Sequence, residues 1–128
     1  DGELADRLPE TETVRVMGFI PNVKRYMRAF DLIVSTSTPQ EAFGMSLIEA
    51  LVARVPVICT DQPGPREVLG KAVRYVPDDD SRALAAALIE SKSEVVLAVP
   101  NKGDKGYRHV VDEFSISAVC EKLRPLID

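Results

Sequence analysis

A short apolar run that is followed by a polar loop and a helix start constrains this chain more than any other feature. Residues 32–34 have the β-branched composition of a buried parallel strand, and residues 35–39 form a polar loop that ends in proline. A helix is predicted to begin near Gly44 or Met45. This order places free backbone N–H groups and the positive end of a helix dipole beyond a strand, where a phosphate can bind.

Two glutamates bracket this helix start. Glu41 is predicted to lie in the loop at the lip of a pocket, and Glu49 about one turn inside the helix, facing the same cleft. Gly44 between them lets a ligand approach the backbone closely. Carboxylates beside a phosphate site accept hydrogen bonds from hydroxyls, so a sugar or ribose is the predicted partner. The alternative interpretation is a loop carboxylate followed by an amphipathic helix with a solvated glutamate.

Strands and helices alternate along the rest of the chain. Further strands are predicted at residues 14–17, 56–60 and 73–76. Helices are predicted at 23–29, 45–53, 65–69, 82–90, 105–114 and 117–127, and residues 95–99 are assigned to a helix after an interruption at 91–94. Asn22, Asp80 or Ser81, and Ser115 are the expected caps.

This alternation predicts an α/β fold with a parallel sheet. Ligands bind such sheets beyond the carboxyl ends of the strands. Gly18, Ser37, Glu41 and Gly64 each follow a predicted strand, so we expect them to share one edge.

The composition excludes several classes of protein. The 128 residues suffice for one small domain, and a net charge of −4 with a pI near 5.1 argues against nonspecific binding to nucleic acid. No apolar run approaches the roughly 18 residues of a membrane span, and the first four residues do not resemble a signal peptide. A cytoplasmic protein is predicted. Cys59 and Cys120 lack metal-ligand spacing, which favours buried thiols.

Three other groups of charged residues have simple interpretations. Residues 78–80, all aspartates, are predicted to form a solvated turn and helix cap rather than a cation site, because metals need convergent ligands. His109 is predicted to have a packing or surface role. Lys24, Arg25 and Arg28 are predicted to form a solvated helix face, and contact with an anionic membrane is the alternative.

Several short motifs occur together in a familiar order. They comprise residues 18–20, 31–34, 41–44, 49–50, 56–58, 67–68 and 113–115. This pattern resembles glycosyltransferase family 4, the retaining group 1 glycosyltransferases of the GT-B fold. The resemblance implies that the chain is the latter part of a Rossmann-like C-terminal domain that binds a nucleotide-diphosphate sugar, with C-terminal helices from about residue 102 to 128. The acceptor domain would lie upstream.

The resemblance also implies roles for individual residues. Glu41 would contact the donor sugar near its reacting carbon, as the catalytic carboxylate, and Glu49 would hold the ribose hydroxyls. The other donor-binding residues are Gly18, Phe19 and Ile20, which would line the base; Phe43, Gly44, Met45 and Ser46, whose backbone would receive sugar hydroxyls and diphosphate oxygens; and Ser37 and Gly64. Neither a metal nor a cofactor is expected.

Two turns depart from the family pattern. Residues 53–56 have arginine at position 54, where the family usually has glycine, so the backbone angle of that glycine is either absent or obtained with strain. The Pro63 and Gly64 pair stands where the family usually has two glycines, and proline stiffens that loop.

The expected parent enzyme transfers a sugar to a hydroxyl acceptor with retention of configuration. We expect the isolated chain to be inactive, because catalysis requires donor and acceptor to be held together in a closed site. A non-catalytic α/β nucleotide-binding or interaction module and a GT-B-like sugar-nucleotide epimerase are the alternatives. The expected location is the cytoplasm, with peripheral membrane contact left open.

Overall fold

The computed structural model describes residues 7, 9, 11–37, 43–96 and 104–127. Within them, β1 (Ile33–Ser35), β2 (Val57–Thr60) and β3 (Arg74–Val76) form a parallel sheet in the order β1-β2-β3. Ile33 lies opposite Val57, and Ile58 lies opposite Arg74. The predicted α/β fold with a parallel sheet is confirmed.

Five α-helices surround this sheet in the described part of the chain. They are α1 (Met45–Val52), α2 (Pro63–Leu69), α3 (Ser81–Val96), α4 (Asp104–Phe114) and α5 (Ile116–Leu123). Short 3-10 turns occupy Val23–Arg25, Met27–Ala29 and Arg124–Leu126. The predicted interruption at residues 91–94 is wrong, because α3 continues through them without a glycine or proline to stop it. Residues 97–99 lie outside the described ranges.

The central strand β2 is buried along its whole length and separates two apolar clusters. Successive side chains of a strand point to opposite faces. Val57 and Cys59 accordingly pack in the cluster that contains Leu47 of α1, while Ile58 packs with Ala87 of α3. The sheet therefore lies between a layer that includes α1, α2 and α4 and a layer formed by α3.

Two of the predicted helix caps are confirmed. The backbone N–H of Ala83 donates to Asp80 Oδ1 over 2.9 Å, and the backbone N–H of Ala118 donates to Ser115 Oγ over 3.2 Å. The third is wrong: Asn22 has a left-handed backbone (φ 54°) and makes no side-chain capping bond. The helix predicted after it consists of the two 3-10 turns, in which Met27 is buried.

The strand predicted at residues 14–17 is absent from the structure. Val14 and Met17 are 44% and 67% exposed, and no described strand runs beside this segment. A β-strand needs a hydrogen-bonded neighbour to be stable, so its apolar composition alone does not produce one.

Helix α2 begins two residues earlier than predicted. Its first residue is Pro63, and Gln62 precedes it with an extended backbone. Proline suits the first helical position because its fixed φ is already helical and its missing N–H would have no partner there. Gly64 therefore lies in the first turn of a helix and not in the predicted loop.

Candidate functional site

Helix α1 begins at a glycine whose conformation is unusual. Gly44 is buried and left-handed (φ 75°), and its carbonyl accepts the N–H groups of Leu47 (2.9 Å) and Ile48 (3.1 Å). An added Cβ would lie 3.2 Å from Leu47 Cδ1. The backbone N–H groups of Met45 and Ser46 have no recorded acceptor among the described residues, as expected for the first turn of a helix. This end of α1 is therefore able to bind an anion.

Apolar packing fixes the position of helix α1 close to its N-terminus. Leu47 and Leu51 are each 1% exposed and lie in the larger apolar cluster. Phe43, just before the helix, packs edge-to-face on Phe114 of α4 with ring centroids 6.1 Å apart. The side chains of Met45 and Ser46 are exposed. Packing thus fixes the backbone at the start of α1, where Met45 and Ser46 are exposed residues.

Ser37 and Gly64, two further predicted residues, lie just beyond the carboxyl ends of β1 and β2. The Thr60 hydroxyl at the end of β2 donates to the Ser37 carbonyl over 2.7 Å, and the hydroxyls of Ser35 and Ser37 are 3.3 Å apart. These contacts join the segment after β1 to the end of β2. Gly64 follows β2 in the first turn of α2 and is half-buried.

For the predicted catalytic residue and the predicted base-binding residues, the structure gives little support. Glu41, the candidate catalytic carboxylate, lies outside the described residues. Gly18 has a left-handed backbone (φ 60°), Phe19 is 79% exposed and Ile20 is half-buried. They do not follow a strand, so the reason given for placing Gly18 at the sheet edge fails.

Glu49 lies on α1 beside a groove of about 430 Å³. The Glu49 side chain is half-buried, and within the described residues its carboxylate has no hydrogen bond or ion pair. The opposite wall comes from the two 3-10 turns after residue 22. The groove is lined by Lys24, Arg25, Arg28, Ile48, Glu49, Val52 and Ala53.

The sequence did not predict that these basic residues lie near Glu49. Lys24, Arg25 and Arg28 were expected on a solvated helix face, and the structure places them across a groove from Glu49. Their spacing, which puts residues three and four apart on one side of a helical segment, was the available signal. Glu49 lies some 20 residues further along the chain, and the sequence pattern does not specify that the two segments come together.

The aspartates at 78–80 are used by local structure. Gln62 Nε2 donates to Asp78 Oδ2 (3.0 Å), the backbone N–H of Asp79 donates to Asp78 Oδ1 (3.1 Å), and Asp80 caps α3. The turn-and-cap interpretation is confirmed. Among the described residues no three His, Cys, Asp or Glu side chains are grouped to hold a metal. The absence of a metal from the reaction stays a prediction.

Comparison with known proteins identifies the family. Residues 1–92 match the family described as "Glycosyl transferases group 1". This chain belongs to the group 1 glycosyltransferases. The resemblance inferred from the sequence motifs is confirmed.

The relatives of this glycosyltransferase chain act in different pathways according to their names. The lipopolysaccharide core biosynthesis mannosyltransferase LpcC of Rhizobium leguminosarum bv. viciae is 28% identical over 108 residues, 83% of this chain and 30% of that protein. The phosphatidyl-myo-inositol mannosyltransferase of Mycobacterium leprae is 35% identical over 82 residues, 61% of this chain and 22% of that protein. The putative teichuronic acid biosynthesis glycosyltransferase TuaC of Bacillus subtilis is 36% identical over 102 residues, 77% of this chain and 26% of that protein. The chain thus spans less than a third of the length of these relatives.

A cluster at the end of β2 in this glycosyltransferase chain is structural. Arg66 donates to both carboxylate oxygens of Asp61 and lowers the pKa of that carboxyl. The Arg66 guanidinium also stacks 4.4 Å from the Tyr75 ring centroid, and Tyr75 donates its hydroxyl to the Pro65 carbonyl (3.1 Å). Burial raises the pKa of Cys59 to about 11. A thiol that stays protonated is a poor nucleophile, so this cluster offers no activated group at neutral pH.

Two other sequence interpretations are settled by contacts. His109 hydrogen-bonds through Nε2 to the Val68 carbonyl (2.9 Å), which confirms its packing role. Both cysteines are free; Cys59 is buried as predicted, but Cys120 is exposed.

None of the helices in the described ranges is long and apolar enough to cross a membrane.

Proposed function

We propose that this chain is the donor-binding part of a retaining glycosyltransferase that transfers a sugar from a nucleotide-diphosphate sugar to a hydroxyl acceptor. One observation carries the proposal: in the first turn of helix α1 the backbone N–H groups of Met45 and Ser46 have no acceptor among the described residues, and one turn later the Glu49 carboxylate has no partner among them either.

The spacing along α1 suits a nucleotide diphosphate. At a rise of about 1.5 Å per residue, Glu49 lies roughly 4.5 Å along the helix axis from Ser46. Phosphate oxygens at the helix N-terminus would be stabilised by N–H donors and by the helix dipole. A carboxylate accepts hydrogen bonds from vicinal hydroxyls, so Glu49 would hold the ribose while the diphosphate extends toward Gly44.

The other roles follow from family membership. Glu41 would contact the hydroxyls of the donor sugar near its reacting carbon, and the segment containing Phe43 would border the same sugar. Gly18, Phe19 and Ile20 would line the base. Transfer would need neither a protein-bound metal nor a cofactor, and an upstream acceptor domain would close the site over both substrates. The enzyme would work in the cytoplasm, with peripheral membrane contact left open.

The names of the relatives support transfer of a hexose. Two of the three proteins named above are called mannosyltransferases. Those names belong to proteins of which this chain covers less than a third, so the donor sugar of the parent enzyme is part of the proposal.

Saturation-transfer NMR with UDP-, GDP- and ADP-sugars tests the donor site. We expect transfer to ribose protons in the unmodified chain and a loss of affinity of about 10- to 100-fold in Glu49→Gln, because hydrogen bonds to a charged group contribute about 1.5–3 kcal/mol. Glu67→Gln is the matched control: Glu67 is exposed on α2 and does not line the groove. Equal transfer in both variants would contradict the role of Glu49.

A further inference from the structure

The groove beside Glu49 has walls of different chemistry. One wall carries three exposed cations, with Lys24 and Arg25 in the first 3-10 turn and Arg28 in the second. The α1 wall carries the Glu49 carboxylate and the apolar side chains of Ile48, Val52 and Ala53. Within the described residues no ion pair joins Glu49 to these cations. Neither wall is neutralised by the other.

We propose that this groove binds the base of the donor nucleotide and that Arg25 and Arg28 select guanine. The inference rests on the proposed function, because Glu49 must hold the ribose at the groove for the base to enter it. Residues 18–20, whose backbone is proposed above to contact the base, do not line this groove, so Arg25 and Arg28 would add side-chain contacts to the base from a second segment.

The donors of the basic wall determine which base fits. Arginine and lysine side chains offer only hydrogen-bond donors. Guanine presents O6 and N7 as adjacent acceptors, which the guanidinium fork of an arginine pairs with in a bidentate manner. Adenine places an N6 amino donor beside N7, so a donor would face a donor. Uracil presents O4 without a second acceptor on the same edge. The expected order of affinity is guanine, then uracil, then adenine.

The shape of the groove suits a planar ring. Its volume of about 430 Å³ falls within the roughly 300–1,000 Å³ usual for small-molecule sites. Val52, an apolar residue of the α1 wall, is 49% exposed, so it leaves apolar surface for the face of a base to cover. Stacking a base there removes apolar area from water while its edge meets the basic wall.

The same cations are less suited to a membrane surface. An amphipathic membrane-binding helix presents its basic and apolar residues on one protruding side. Here the cations line a concavity that they share with a carboxylate, so they do not form one protruding basic side. A nucleotide that brings hydroxyls to Glu49 and acceptors to the arginines satisfies both walls.

Affinities for GDP, UDP and ADP, measured by calorimetry on this chain, test the proposal. Arg25→Lys and Arg28→Lys keep the charge and remove the planar fork. We expect GDP to bind at least 10-fold more tightly than ADP, and at least one of the two variants to weaken GDP by about 5- to 100-fold while UDP and ADP change less than about twofold. Arg82→Lys is the matched control, because Arg82 is an exposed residue of α3 outside the groove.

Each contrary result has a distinct meaning. If GDP affinity is unchanged in both lysine variants but lost in Glu49→Gln, the guanine proposal is wrong and the donor site stands. If no nucleotide binds the unmodified chain, both proposals are wrong. If the three bases bind equally and phosphatidylglycerol vesicles bind in a manner that Arg25→Gln and Arg28→Gln abolish, the groove is a membrane contact. Circular dichroism of each variant verifies that the fold is intact.

Discussion

Arg54 occupies a backbone conformation that glycine adopts at far lower cost. Its φ is 62°, in the turn between α1 and β2. Sequence reasoning left two outcomes for this position, loss of the special angle or strain, and the structure shows the strained one. The side chain compensates by pairing with Asp104 and by stacking 4.2 Å from the centroid of Tyr107, both on α4. Arg54 thus has a strained backbone, and its side chain links the turn after α1 to α4.

Two substitutions at position 54 separate strain from side-chain contact. Arg54→Ala keeps the strained backbone and loses the contacts with α4, whereas Arg54→Gly loses the same contacts and relieves the strain. We expect Arg54→Gly to have a free energy of unfolding about 1 kcal/mol higher than Arg54→Ala. Urea denaturation measures the difference. Equal stabilities would mean that the turn relaxes to a negative φ in the alanine variant.

Cys59 makes stability depend on alkaline pH. Burial raises its pKa from 9.0 to about 11, so between these values the folded chain keeps a proton that the unfolded chain has lost. The protonated thiol stabilises the fold fully below pH 9, and this stabilisation is lost as the pH rises toward 11. The free energy of unfolding should fall by about 2 kcal/mol over this range. Urea unfolding from pH 8 to 10.5 should show a steeper fall for the unmodified chain than for Cys59→Ala. Cys120→Ala, at an exposed site, should keep the original slope.

At the scale of secondary structure, the crossing of α1 and α4 depends on a glycine. A Cβ added at Gly106 of α4 would lie 2.5 Å from Leu51 Cδ2, and Leu51 is only 1% exposed. The absence of a side chain therefore sets how closely the two helices approach. This is a different use of glycine from that at Gly44, where the backbone angle is the requirement.

A double-mutant cycle tests this crossing. Alanine favours helix over glycine by about 1 kcal/mol, but overpacking a core costs about 1–3 kcal/mol, so we expect Gly106→Ala to be destabilising. Leu51→Val removes the δ-carbons that the new methyl would meet. In that background Gly106→Ala should be neutral or stabilising, with a coupling energy of about 1 kcal/mol from thermal unfolding. Additive effects would show that the helices move apart without cost.

At the scale of the whole molecule, burial is concentrated around the central strand β2. Every residue of β2 is buried, and the larger apolar cluster combines residues of α1, α2 and α4 around it. Helix α5, by contrast, has no buried residue; Ile116 at its start is 84% exposed, and Leu126 in the turn after it is 80% exposed. Regions with few buried apolar contacts open at lower free energy than the core.

Native-state hydrogen exchange should rank the elements accordingly. We expect the amides of Ile58 and Cys59 to exchange only through global unfolding and those of α5 to exchange through local opening at least tenfold faster. Equal protection in α5 and β2 would show that the molecule unfolds as one cooperative unit.

Local chemistry is what the sequence predicted well. The caps Asp80 and Ser115 bond to backbone groups three residues away, and the strands β1 and β2 are rich in β-branched residues. The motif around Gly44 identified the start of α1 because glycine and the following residues act within one turn. Such interactions depend on neighbours in the sequence, so pattern and propensity are enough.

Tertiary structure decided the rest. The apolar segment at residues 14–17 is not a strand because strand formation needs a neighbour, and the segment after Asn22 became two 3-10 turns. Only the fold brought the cations of that segment across a groove from Glu49. The sequence alone determined an α/β chain of the group 1 glycosyltransferases in which a helix begins after Gly44. Which distant side chains share a groove with it was decided by packing, because contacts between segments far apart in the chain leave no periodic signature in either one.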